Sequence, residues 1–209
     1  MKKSIICFIG TDGAGKSTII SELKKRLEGE IKVKSVYFGW KPFLPTTKLL
    51  SFILKKKKYQ IADKMNLKTN KTSGERFNLF QEVMLSYYYI EYLSRYIFQL
   101  RLLSHKKIIL VDRYFYDLYA HYHYAEHSYI FPFLLKLMPK PDLTFFLTAD
   151  IQTAKERKPE MDLKLLQEHY QRYQKISGLI GAKIVTTDQK LEQSVQEVLG
   201  IITKDTQNC

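Results

Sequence analysis

The stretch Gly10-Thr-Asp-Gly-Ala-Gly-Lys-Ser-Thr18 matches the phosphate-binding loop pattern G-x-x-x-x-G-K-S/T without a gap. An apolar run at residues 5–9 precedes it and has the length and composition of a buried strand. Residues 17–27 follow it and place apolar side chains on one face of a helix. Because strand, loop and helix occur in the required order, the sequence predicts a nucleoside triphosphate site rather than a chance glycine-rich turn.

Each residue type in this loop has a physical role. Glycines allow the backbone to curl and to bring its N–H groups up to phosphate oxygens. Lys16 reaches the β- and γ-phosphates, and the Ser17 hydroxyl is a ligand for Mg²⁺. We therefore expect ATP and Mg²⁺ as cofactors. The expected cofactor-binding residues are Gly10, Asp12, Gly13, Ala14, Gly15, Lys16, Ser17 and Thr18.

Composition narrows the class of protein without identifying a ligand. The net charge of +13 suits an anionic partner, and nucleic acid, an acidic membrane and a phosphorylated small molecule all remain open. Cys7 and Cys209 form neither a disulfide framework nor a metal motif, and no apolar run reaches membrane-spanning length. We expect a cytoplasmic protein in a reducing environment.

Strands alternate with helices along the chain, which predicts an α/β fold with a five-stranded parallel sheet and helices on both faces. In such sheets ligands bind beyond the carboxyl ends of the strands. We expect one domain over residues 1–209. The predicted strands are 5–9, 31–38, 107–112, 143–148 and 182–186, and the predicted helices are 17–27, 46–54, 73–103, 131–138, 151–157, 162–178 and 191–202.

Asp112-Arg113-Tyr114 ends a run of four apolar residues and gives a second signal. An acid at the end of a strand beside the phosphate loop can hold Mg²⁺ directly or through water. The guanidinium next to it can bind a phosphate through two parallel hydrogen bonds. The alternative is a structural ion pair that caps the strand.

A third motif extends over Lys140-Pro-Asp-Leu-Thr-Phe-Phe-Leu-Thr-Ala-Asp-Ile-Gln-Thr-Ala-Lys-Glu-Arg157. Together with the phosphate loop and Asp112-Arg-Tyr114, it resembles the thymidylate kinases in order and spacing over almost the whole chain. The resemblance implies a P-loop kinase fold with a short lid around residues 157–163. It also implies transfer of a phosphoryl group from ATP to dTMP, which gives dTDP and ADP.

The resemblance implies roles for single residues. Asp12 would hold the sugar 3′-hydroxyl of the acceptor, Asp112 would support metal and acceptor, and Arg113 would bind the acceptor phosphate. Arg157 would begin the lid, with Arg172 as a weaker lid candidate. The implied catalytic residues are Lys16, Asp112, Arg113 and Arg157, and the implied metal ligands are Ser17 and Asp112.

The acceptor half departs from the family pattern. Lys41 stands where the family has an Arg-Glu-Pro motif, and Tyr87 stands for the phenylalanine that stacks on thymine. Glu91 replaces the arginine that contacts the base, and Asp117 replaces a serine. An acceptor other than dTMP, whether another nucleotide, a nucleoside or a non-nucleotide, is therefore the alternative. The expected substrate-binding residues are Asp12, Lys41, Tyr87, Glu91, Arg113, Tyr114 and Asp117.

Two further features concern partners. Residues 49–59 join an apolar patch to four lysines, which suits either a core helix with a solvated end or contact with an anionic membrane. The aromatic helix 77–103 is a candidate homodimer face by resemblance. A nucleotide-dependent binding module for an anionic partner is the alternative from another class, although nothing in the sequence points firmly to nucleic acid. His121, expected to line the acceptor pocket, His123 and His127 do not share one helical face, which argues against zinc.

Overall fold

The structure is a computed structural model that describes residues 4–29, 32–39, 79–102 and 108–207. Its five strands pair in parallel in the order β2-β3-β1-β4-β5. The α/β sheet predicted from the sequence is therefore confirmed. The strands are β1 Ser4–Ile9, β2 Val33–Tyr37, β3 Ile108–Asp112, β4 Leu143–Thr148 and β5 Lys183–Thr186.

The helices connect these strands along the chain. The predicted helix 73–103 is described from Leu79, and its last turn, Tyr96–Arg101, is a π-helix. A short helix after β3 was not predicted, and the predicted helix 46–54 and the lysines at 55–58 lie outside the described residues. The helices are α1 Lys16–Leu27, α2 Leu79–Arg95, α3 Asp117–His121, α4 Phe131–Leu137, α5 Ile151–Arg157, α6 Leu163–Ile180 and α7 Leu191–Gln207.

The sheet is covered on both faces. Successive residues of β1 alternate between two cores, so that Cys7 packs on one side and Phe8 on the other. The core that contains Cys7 is completed by α2, α3 and α6, and the core that contains Phe8 is completed by α1 and α7. Burial on both faces explains why β1 and β3 have continuous apolar sequences.

The strand order brings two loops together. The chain passes from β1 to β2 on one side of β1, whereas β4 and β5 lie on the other side. Phe8 near the end of β1 pairs with Asp112 at the end of β3. The loops that follow β1 and β3 therefore start side by side, at the place where parallel α/β sheets bind ligands.

The pair Phe8 and Phe145 provides a test of the core. Their rings are stacked with centroids 5.3 Å apart, and both side chains are fully buried. We expect Phe8→Ala to lower the free energy of unfolding by about 3–5 kcal/mol, because it removes buried contacts and leaves a cavity. Urea unfolding followed by circular dichroism measures this loss. Phe133→Ala, at an exposed ring on α4, is the control and should change stability by less than about 0.5 kcal/mol. Equal losses in both variants would contradict this packing.

Candidate active site

The loop between β1 and α1 has the backbone that a phosphate cradle requires. Gly13 and Gly15 adopt φ values of 84° and 73°, in the left-handed region that favours glycine. A Cβ atom on Gly13 would lie 2.5 Å from the Ala154 carbonyl oxygen, so the loop is also pressed against α5. Any larger residue at Gly13 would push the loop away from this support.

The loop combines the N-terminal end of α1 with one buried lysine. Gly15 precedes α1, whose first turn contains no acidic residue and accepts no side-chain cap, so its positive end remains available to an anion. The Lys16 ammonium donates hydrogen bonds to the carbonyl oxygens of Gly10 at 2.9 Å and Thr11 at 2.7 Å. Burial lowers the pKa of Lys16 to about 8. An arriving phosphate would supply the negative charge that this buried amine lacks.

A pair of oxygen ligands lies next to this lysine. The Ser17 hydroxyl donates a hydrogen bond of 2.9 Å to Oδ2 of Asp112, which is the last residue of β3. The other carboxylate oxygen, Oδ1, is buried and has no hydrogen-bond partner among the described residues. A hydroxyl and a carboxylate are hard ligands of the kind Mg²⁺ prefers, and the unpaired oxygen is suited to a metal ion or one of its waters.

Arg113 follows directly and contacts both the phosphate loop and α3. Its backbone φ is 70°, although it is not a glycine, and its N–H donates to the Phe8 carbonyl oxygen at 2.9 Å. The guanidinium lies between two carboxylates. One nitrogen donates to Oδ1 of Asp12 and the other donates to Oδ2 of Asp117 at 2.8 Å. Arg113 therefore links the phosphate loop to α3.

Side chains of α3 and α6 surround the Arg113 guanidinium and its partner Asp117. The Tyr173 hydroxyl donates a 2.6 Å hydrogen bond to Oδ1 of Asp117, so both oxygens of that carboxylate are bound. The Nε2 atom of His121 lies 2.9 Å from an Arg113 nitrogen and 3.1 Å from the Tyr173 oxygen. Burial, opposed by the Asp117 charge, lowers the pKa of His121, so its neutral ring can accept a hydrogen bond from Arg113.

The charges that surround Asp12 shift its pKa. Burial alone would raise its pKa, but Arg113 and then Lys16 outweigh this effect, and the pKa of Asp12 is lowered. Asp12 is therefore ionised at neutral pH and is available as a hydrogen-bond acceptor at the boundary between the phosphate loop and Arg113. The arrangement places the glycine-rich loop, the hydrogen-bonded pair of Ser17 and Asp112, and the Arg113 guanidinium side by side.

Comparison with known proteins identifies the family of this chain. The thymidylate kinase sequence profile matches residues 8–198. The chain belongs to the thymidylate kinase family. Thymidylate kinases are nucleoside monophosphate kinases that use ATP as the phosphoryl donor and Mg²⁺ as cofactor, and the chain is accordingly a nucleotide kinase.

Solved thymidylate kinases have the same fold. The enzyme from Candida albicans, described as having broad substrate specificity, is 21% identical with a TM-score of 0.67, and the match covers 98% of this chain and 93% of that one. The enzyme from Ehrlichia chaffeensis is 16% identical with a TM-score of 0.63, covering 97% of this chain and 100% of that one. No curated protein matches the chain by sequence. None of the described helices is long and apolar enough to cross a membrane.

The two arginines that the thymidylate kinase pattern assigns to the lid have different surroundings. Arg157 ends α5 and donates to the Gly13 carbonyl oxygen at 3.1 Å and to the Thr187 carbonyl oxygen at 3.2 Å, so it lies against the phosphate loop. Arg172 is buried on α6 and donates to the Ala120 carbonyl oxygen at 3.2 Å. The prediction of Arg172 as a lid residue is wrong, because its guanidinium ties α6 to α3.

Tyr114 was expected to contact the acceptor, and the structure corrects this. Its side chain is fully buried, its ring stacks on Phe38 with centroids 5.3 Å apart, and its hydroxyl donates to the Pro139 carbonyl oxygen. Tyr114 shares a motif with Asp112 and Arg113, but its side chain points into the core. Its contribution is packing behind the motif.

The remaining acceptor residues are only partly located. Tyr87 is half-buried on α2, beside Tyr88. Glu91 is fully buried, and its charge acts on Arg95, which donates to the Gly39 carbonyl oxygen at 2.7 Å. Lys41 lies outside the described residues. The roles of Tyr87 and Glu91 toward a base stay predictions.

A second group of potential metal ligands is formed by His123, Glu126 and His127, whose ligand atoms lie within 4.8 Å of one another. No acidic partner at ligand spacing was predicted for these histidines, and the structure corrects this by placing Glu126 beside them. Glu126 already forms ion pairs with Lys175 and Arg172, and Arg172 lies 3.1 Å from Nδ1 of His123. These positive charges oppose a further cation.

Two residues of the Arg113 surroundings were not predicted at all. His169 and Tyr173 are four apart on α6 and both buried, on a face that also includes the apolar side chains of Leu166 and Ile176. Polar side chains on the buried face of an amphipathic helix were the signal that could have identified them. The helix was predicted, but which strand or loop it covers depends on contacts far apart in the sequence.

The pKa of Lys16 gives a first test of the donor site. At pH 8 about half of the Lys16 amines are neutral, and a bound triphosphate would raise the pKa, so binding of Mg-ATP should take up about half a proton. Calorimetry in buffers of different ionisation enthalpy measures this uptake. Uptake should increase from pH 7 to pH 9, where ATP itself no longer titrates. Constant uptake across this range would contradict the assignment of Lys16.

Asp117→Asn gives a test of the ion pair between Asp117 and Arg113. The amide keeps the shape that accepts the Tyr173 hydrogen bond but removes the charge that pairs with the buried guanidinium. We expect a loss of roughly 3 kcal/mol in the free energy of unfolding. Glu168→Gln removes an acid whose side chain is 43% exposed and should cost less than about 1 kcal/mol. Urea unfolding of both variants decides the matter, and a loss for Asp117→Asn as small as the control would refute the pairing.

Proposed function

We propose that this kinase transfers the γ-phosphoryl group of ATP to dTMP, giving dTDP and ADP. The observation that supports it is the position of Arg113, which contacts Asp12 of the phosphate loop and directly follows Asp112. An anion bound by Arg113 would lie next to the phosphates bound by the loop. In-line transfer requires this adjacency more than any covalent chemistry from the protein.

The described residues divide the work. Lys16 and the loop amides would neutralise and orient the donor phosphates, and Ser17 with Asp112 would hold Mg²⁺. When bound, Mg²⁺ supplies charge neutralisation across the donor phosphates. Arg113 would bind the acceptor phosphate. Asp12, as implied by family resemblance, would accept a hydrogen bond from the sugar 3′-hydroxyl once the acceptor phosphate draws Arg113 toward itself.

Three further expectations belong to the same proposal: the domain with its lid, the cellular setting and the oligomeric state. The chain forms a single domain, with a lid around residues 157–163 that closes over the transferring group. Its setting is the cytoplasm. It pairs as a homodimer through α2, and this is supported by the exposed apolar side chains of Val83 and Ile90, which are seven residues apart on that helix.

A kinase with another nucleotide or nucleoside acceptor is the second candidate. It is favoured by Asp117, which occupies one side of Arg113 where the family pattern has a serine. An acceptor phosphate must share Arg113 with this carboxylate. The Candida albicans enzyme, which has a similar fold, is described as having broad substrate specificity.

A coupled assay for ADP, run with a panel of nucleoside monophosphates and nucleosides, tests the proposal. We expect dTMP to give the highest kcat/KM, and Lys16→Ala to abolish turnover with every acceptor. If another acceptor is preferred by more than tenfold, the second candidate replaces the first. ATP hydrolysis without any acceptor, together with salt-sensitive binding to nucleic acid or anionic vesicles, would instead indicate a binding module.

A further inference from the structure

His169 is a buried polar residue that the proposed mechanism does not use. It lies on α6, its residue exposure is 6%, and its Nδ1 atom is buried without a hydrogen-bond partner in the described part of the chain. Its ring stands edge-on to that of His121, with centroids 4.3 Å apart. His121 also contacts Arg113, so one side chain separates His169 from the arginine that would bind the acceptor phosphate.

The charges around His169 favour its neutral form. Burial, followed by His121 and Arg172, lowers its pKa to about 3, with Arg113 acting in the same direction and Asp12 opposing them. A neutral imidazole has one hydrogen-bond donor and one acceptor. The side chain is therefore suited to an uncharged polar group and not to a phosphate.

An unpaired buried nitrogen is unfavourable, and an apolar side chain of similar size would fill the same space without this penalty. Such groups in folded proteins call for a reason, and an absent ligand is one that fits the surroundings. His169 contacts His121, and His121 contacts Arg113, which would bind the acceptor phosphate. We therefore consider the nucleotide acceptor as that ligand.

We propose that His169 is a specificity-determining residue whose Nδ1 atom forms a hydrogen bond with a hydroxyl or amide group of the nucleotide acceptor. This inference rests on the proposed function, because it requires a nucleoside monophosphate whose phosphate binds Arg113. The hydrogen bond exists only in the acceptor complex. It adds to acceptor affinity and leaves the ATP site unaffected.

His169→Leu is the decisive variant, with His127→Leu, at an exposed histidine beside His123, as the matched control. The measurements are the melting temperature, kcat, and the KM values for ATP and for the acceptor that wild type uses best. We expect the acceptor KM to rise about five- to tenfold, as for loss of one hydrogen bond, with the KM for ATP unchanged. The melting temperature of the free enzyme should stay the same or rise, because no existing hydrogen bond is lost. His169→Gln should restore part of the affinity.

The outcomes separate this inference from the proposed function. A fall in melting temperature with an unchanged acceptor KM would assign His169 a structural partner and overturn the inference. If wild type prefers another monophosphate to dTMP, the proposed substrate fails while His169 is still tested on that acceptor. If no nucleoside monophosphate raises the melting temperature of wild type, both fail. Comparison of dTMP with ribothymidine 5′-monophosphate locates the group, since an effect confined to the ribonucleotide identifies the 2′-hydroxyl.

Discussion

The parallel pairing of β1 with β3 is the constraint on which the site depends. Five backbone pairs, from Ser4 with Ile108 to Phe8 with Asp112, fix the relative height of the two strands. The Arg113 N–H continues this pairing by donating to the Phe8 carbonyl oxygen. As a result the phosphate loop and the Asp112-Arg113 pair leave the sheet at the same level. A one-residue slip would invert every side chain of one strand and separate Ser17 from Asp112.

The electrostatics of the site differ from those of the whole chain. Although the sequence carries a net charge of +13, the carboxylates of Asp12, Asp112 and Asp117 around the loop are equal in number to its cations, Lys16, Arg113 and Arg157. A free triphosphate would meet a nearly balanced site, whereas a triphosphate complexed with a divalent cation brings the positive charge that the carboxylates accept.

Local patterns predicted the fold, and long-range contacts decided the site. The five strands and the phosphate loop were predictable because apolar runs, glycines and β-branched residues report local structure directly. The motif Asp112-Arg113-Tyr114 was identified, but the sequence does not show that Tyr114 turns into the core. The hydrogen bonds of Asp117 with Arg113 and Tyr173 join residues on two helices whose packing no local pattern specifies. The π-helical turn at Tyr96–Arg101 was missed because its sequence satisfies an ordinary α-helical pattern.

The left-handed backbone of Arg113 has a consequence for how this sequence can change. At that φ a glycine would relieve strain of about 1–3 kcal/mol, but it would remove the side chain that joins Asp12 to Asp117. A lysine would keep one positive charge but not the planar fork that pairs with both carboxylates, and an uncharged residue would lose both ion pairs. A substitution at position 113 therefore weakens the link between the phosphate loop and α3, whether or not it relieves the backbone strain. If Arg113 binds the acceptor phosphate as proposed, the neighbouring positions Asp117 and His121 are where acceptor specificity can change without loss of this link.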